Sequence, residues 1–163
     1  MHPLAGTDGP GRRALPVGEL LHPVPLTAVA VLVLNDWVLK RWDAAPAALT
    51  GKLSDVAGLV FAPLLVTAVL DVVLMVAARA GAPVDFRLGP RRLLAAVLAV
   101  GALFAAVKLS PAAAAALVAA AGAVGLDWRI VSDPTDLLAL PALGVALWVG
   151  RREIARGGRL ARR

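Results

Sequence analysis

An all-α protein, folded as a polytopic bundle of transmembrane helices, is the architecture this sequence predicts, on three observations. The 163 residues are 60% hydrophobic and 17% charged, with a mean hydropathy of +0.79. Soluble domains sit near ~45–50% apolar and ~25% charged, so both values are displaced toward lipid. The apolar residues also gather in five runs, at 24–39, 56–78, 93–107, 112–126 and 137–149. Most basic residues lie at the edges of those runs or in the terminal stretch RREIARGGRLARR.

Each run reads differently. Residues 1–22 are rich in Pro and Gly without periodicity, which predicts a disordered cytoplasmic lead-in. Arg12 and Arg13 ahead of an apolar segment also suit a signal peptide. That segment is followed by Asn-Asp-Trp rather than a small-residue cleavage site, so it reads as a retained helix. A crossing needs ~20 residues. Run 56–78 meets this directly. Runs 24–39 and 137–149 meet it once flanking Trp, Lys and Arg snorkel to the interface. The motif KLSP separates 93–107 from 112–126, and Pro111 suits the first turn of a new helix. Run 112–126 is Ala-rich and only weakly apolar, fit for a short span, a re-entrant segment or a helix at the bundle rim.

The distribution of bases favours four crossings with both termini cytoplasmic and 112–126 not crossing. Twelve bases then lie inside and five outside. Five crossings, the alternative, gives ten against seven with the N-terminus outside and seven against ten with it inside. The expected division is a lead-in over 1–22, a bundle over 23–151 and a basic tail over 152–163. Trp37, Trp42 and Trp128 fall toward the outer boundary and Trp148 toward the inner one. Small residues four apart (Gly58 and Ala62, Ala102 and Ala106, Ala142 and Ala146) offer close helix contacts, though in so Ala-rich a chain they arise easily by chance.

Polar residues are segregated. The only Asn, the three Lys and the three Ser all fall at one end of the four-crossing bundle, its outer end. The first helix ends with Asn35, Asp36 and Lys40. The second begins T-G-K-L-S-D, with Lys52, Ser54 and Asp55. The third ends with Lys108 and Ser110, and the last begins S-D-P-T-D, with Ser132, Asp133 and Asp136. Capping explains part of this. Asp133-Pro134-Thr135-Asp136 has the form of a helix start, and Thr50 or Ser54 suits the cap of the second helix. Lys52 and Lys108 also suit interfacial anchors. Asn35-Asp36 is harder to explain, because the helix is expected to run on through Leu39 and neither residue is then a cap. An ionised Asp at the bilayer centre costs ~2.5–3.5 kcal/mol on insertion scales. Asp36 and Lys40, four apart with the acid first, share a face and can pair. Asp71 lies ~24 Å further along the second helix than Asp55, toward the inner boundary, where an arginine can meet it.

Other chemistries find little support. There is no Cys, and His2 and His22 are far apart, which argues against zinc. No EF-hand spacing, P-loop, G-x-G-x-x-G or G-x-S-x-G occurs, so neither a metal nor a cofactor is expected. A Ser-Lys nucleophile built on Ser54 or Ser110 is a minor reading. The net charge of +6 suits anionic headgroups better than nucleic acid, because the bases flank apolar runs. Membrane lipids are therefore the expected partners, with homo-oligomerisation needed if so short a chain is to act as a carrier.

The blocks N-D-W-V-L-K, L-T-G-K-L-S-D-V-A-G-L and D-P-T-D-L-L-A-L-P, within 34–40, 49–59 and 133–141, resemble those of an uncharacterised family of small multi-spanning bacterial membrane proteins. The resemblance implies an integral membrane location and no activity. The expectation is a protein of the bacterial cytoplasmic membrane with a polar pocket of Asn35, Asp36, Lys40, Lys52, Ser54, Asp55, Lys108, Asp133 and Asp136. Its role is to bind or process a small polar group or lipid headgroup. A proton-coupled carrier subunit and a structural protein, in which these residues only pair and cap, are the alternatives.

Overall fold

The computed structural model describes residues 17–39, 46–85 and 88–160. It is all-helical, with no strand among the described residues. Five α-helices follow a short 3-10 turn at Gly18–Leu21: α1 (Pro23–Trp37), α2 (Ala47–Arg79), α3 (Pro90–Leu109), α4 (Pro111–Ala123) and α5 (Leu143–Leu160). A 3-10 segment, Pro134–Ala142, leads into α5.

Proline sets three of the helix starts. Pro23, Pro90 and Pro111 stand in the first turns of α1, α3 and α4, where the missing N–H is no loss. His22 Nδ1 accepts from Val24 N at 3.3 Å, and Ser110 Oγ accepts from Ala113 N at 3.2 Å. Two starts differ from expectation. Helix α2 begins at Ala47 without a side-chain cap, so Thr50 and Ser54 lie inside it rather than capping it. The last helix begins as 3-10, because Pro141 cannot donate to the carbonyl four residues back and its ring clashes there. Helix α1 also ends at Trp37 instead of Leu39, so Asn35 and Asp36 lie in its last turn. Asn, Asp, Trp and Val are weak helix formers and do not prolong it.

At 33 residues α2 is about 50 Å long, and it is the central element, touched by α1, α3, α5 and both 3-10 pieces. One core joins Leu64, Leu93, Val97, Ala146 and Val149. A smaller one joins Ala28, Ala57 and Val60. The close approaches fall at glycines the four-residue spacing did not pick. A Cβ on Gly150 would lie 2.5 Å from Leu93 Cδ1, and one on Gly101 2.8 Å from Leu143 Cδ1. Nothing lies within 4 Å of a Cβ on Gly58. Helix α4, ~20 Å long, packs chiefly on α3 at the rim and is too short to span.

Two helices, Leu49–Arg79 of α2 and α3, are long and apolar enough to cross a membrane. Four crossings go beyond what length and composition alone establish. Around the apolar core, large aliphatic side chains are exposed while several polar ones are buried. Val73 and Leu98 are 58% and 62% exposed, while Asn35 is 0% and Asp71 1% exposed. Residues 18–21, which belong to the lead-in by sequence, pack against α2 and α5 and bury Glu19.

Candidate functional site

Three of the polar segments singled out in the sequence converge on the first two turns of α2. Asn35 comes from the last turn of α1 and is fully buried. Its Nδ2 donates to the Thr50 carbonyl at 2.8 Å and to Ser54 Oγ at 2.6 Å. A carbonyl can only accept, so this contact fixes which way the amide points. Asn35 Oδ1 is then a buried acceptor with no hydrogen bond. Ser54 Oγ lies 3.5 Å from Asp36 Oδ1, a long contact that brings Asp36 to the same edge.

Beside this amide runs a chain of charges. Lys52 Nζ donates to Asp136 Oδ1 at 2.9 Å and to Thr135 Oγ1 at 2.8 Å. Lys108 Nζ donates to Asp136 Oδ2 at 2.7 Å and lies 2.9 Å from Asp55 Oδ2. Asp136 therefore holds one lysine on each oxygen and ties the 3-10 segment to α2 and to the end of α3. The approach of Lys108 to Asp55 is out of line for a hydrogen bond, so the buried Oδ2 has only a charge contact.

Of the nine residues expected in the pocket, seven lie in this cluster: Asn35, Asp36, Lys52, Ser54, Asp55, Lys108 and Asp136. Asp133 instead caps the 3-10 segment, its Oδ1 accepting from Thr135 N at 2.9 Å. Lys40, and with it the expected Asp36–Lys40 pair, lies outside the described residues. Ser132 donates to the Val107 carbonyl at 2.8 Å and so fastens the incoming strand of chain to α3. Thr50 and Thr135, which read in the sequence only as parts of helix starts, also join the cluster, through the Thr50 carbonyl to Asn35 and the Thr135 hydroxyl to Lys52. Thr135 sits between two acids in D-P-T-D, and that position is the signal that could have found it.

A second polar group lies at the other end of α2. Asp71, 1% exposed, pairs with Arg92 from the first turn of α3. One turn earlier, Thr67 Oγ1 is 3.0 Å from Glu19 Oε1 and 2.9 Å from the Leu64 carbonyl. Burial pushes the Glu19 carboxyl above its usual range, and Glu153 adds to this. Glu19 was not expected here, since its Pro- and Gly-rich surroundings read as disordered; the apolar pair Leu20-Leu21 beside it was the available clue. Compared with known protein families, characterised proteins and solved structures, the chain matches none of them.

Proposed function

We propose that the chain is a small polytopic protein of the bacterial cytoplasmic membrane that receives a zwitterionic group, such as a lipid headgroup, at the polar end of its bundle. In this reading α1, α2, α3 and the 3-10 segment with α5 make four crossings, and both termini are cytoplasmic. Support for a membrane setting comes from two helices long enough to span and from apolar side chains on the outside of a molecule that buries its amide and carboxylates.

The buried, unpartnered Asn35 Oδ1 carries the binding reading. A buried polar atom without a partner costs ~1–3 kcal/mol, so its retention favours a ligand that supplies the missing donor. An ammonium group supplies such a donor, since Asp55 Oδ2 on the same stretch of α2 already holds Lys108 at 2.9 Å. Lys52, whose side chain is 40% exposed, stands at the edge where a phosphate would sit. Buried Val60 and Leu64 lie between the two polar ends of α2, which favours a binding site over a through-path.

The paired lysines favour one rival, a structural role in which Asp136 only locks three elements together. Phosphoethanolamine and phosphatidylethanolamine, each added to the purified protein in dodecyl maltoside, separate the two. The binding reading predicts that at least one raises Tm in the wild type and not in Asn35→Leu, the lipid alone if acyl chains are needed. If Asn35→Leu is less stable than the wild type and neither compound shifts either protein, the role is structural.

A further inference from the structure

Helix α5 carries a second feature, at the end of the bundle opposite the Asp136 cluster. Gly144, Leu147, Trp148, Arg151, Arg152 and Ala155 recur every three or four positions and so share one helix face. Together they line an open hollow of about 280 Å³. Its composition changes along the helix. The first turns supply Gly144, Leu147 and Trp148; the next supplies two guanidinium groups.

The hollow is braced. Arg152 stacks over the Trp148 indole, 4.1 Å from the ring centroid, as a cation–π pair. The indole meets His22 edge to face at 5.9 Å, and the capping contact to Val24 N fixes His22. Arg151 and Arg152 make no ion pair among the described residues, whereas Arg92 is spent on Asp71 and Arg156 on Glu153. The level is set by packing, because Gly150 meets Leu93, which follows Arg91 and Arg92 in the first turn of α3. The hollow therefore straddles the boundary where apolar α3 gives way to a basic belt.

We propose that this face of α5 is a binding site for an anionic phospholipid, with its phosphodiester held by Arg151 and Arg152 and an acyl chain lying along Trp148, Leu147 and Gly144. Two adjacent guanidinium groups match the geometry of a phosphate. An apolar stretch continuous with them favours a lipid over a free anion. The site rests on the membrane reading above but not on the Asn35 site.

The test uses the full chain in nanodiscs of phosphatidylcholine, where recovery in the disc fraction checks the membrane reading by itself. Lipid retained by the purified complex is then measured with phosphatidylglycerol added, in the presence and absence of inorganic phosphate. The wild type is expected to prefer phosphatidylglycerol over phosphatidylcholine about twenty-five-fold, two arginines each contributing about five-fold. The double variant Arg151→Gln, Arg152→Gln should lose that preference. Gly144→Leu fills the apolar half at a position where a Cβ meets nothing within 4 Å, and should weaken retention without touching a charge. Retention by the double variant equal to wild type overturns the proposal. So does full retention by Gly144→Leu, which would mean diffuse attraction to the basic belt, or full displacement by inorganic phosphate, which would mean a free-anion site.

Discussion

Asp136 carries more structure than any other polar side chain described. It accepts from two lysines on two other elements, so removing it leaves both ammonium groups without their shared partner. Breaking a buried pair from one side costs about 3–5 kcal/mol. Lys52 is partly exposed and can turn to water, so Asp136→Ala is expected near the lower end of that range in reversible unfolding in detergent. Asp133 contributes a cap alone, and Asp133→Ala should cost about 1 kcal/mol. If the two variants lost equal stability, the network would not be the fastening described.

At the scale of elements, the leading 3-10 turn and the α3–α5 contact make separate predictions. Thr67 has one hydroxyl proton and two acceptor atoms within reach, Glu19 Oε1 and the Leu64 carbonyl. A protonated Glu19 resolves this by donating to Thr67. Glu19 faces Thr67 and Asp71 on α2, Arg92 on α3 and Glu153 on α5. Its folded pKa is raised above 4.5, so the stability it contributes is full below 4.5 and is lost as pH rises through the folded value. Glu19→Gln should flatten the stability profile on that side, and an unchanged profile would show that Glu19 is ionised throughout. Gly150→Ala forces a methyl against buried Leu93 and should cost about 1–3 kcal/mol, with no change at the polar end of the bundle.

These elements also show what the sequence could and could not disclose. The convergence of Asn35, Ser54, Asp55, Lys52, Lys108 and Asp136 was readable because these residue types are scarce in the chain, so their clustering along it stood out. The partners within the cluster were not readable. Which oxygen of Asp136 meets which lysine depends on helix rotation, and α2 shows almost no one-sided apolar stripe from which to infer it. The start of α2 at Ala47 hid behind Thr50 and Ser54, residues with good capping chemistry placed one and two turns too late. Glu19 was hidden for a different reason. A short 3-10 turn has no periodicity, and its burial comes from tertiary packing rather than from local pattern.

The whole molecule gathers polar groups at the start of α2 and again around Thr67 and Asp71, with many aliphatic side chains exposed around an apolar core. Asp55 and Asp71 are ~24 Å apart along that helix, with buried Leu64 between them. Such an arrangement suits a low-dielectric surround, where exposed Val and Leu cost nothing and each polar group must find a partner within the protein. In the proposed topology the positively charged belt around Arg79, Arg91, Arg92, Arg151 and Arg152 faces the cytoplasm, and the Asn35–Asp136 cluster the opposite side. The chain contains no cysteine, so single reporters can be introduced without background. Asp43→Cys lies in the connection between α1 and α2, and Asp85→Cys in that between α2 and α3. In intact cells a membrane-impermeant maleimide should label the first directly and the second only after permeabilisation. Labelling of both from the same side, or of position 43 only from the cytoplasm, would contradict the account.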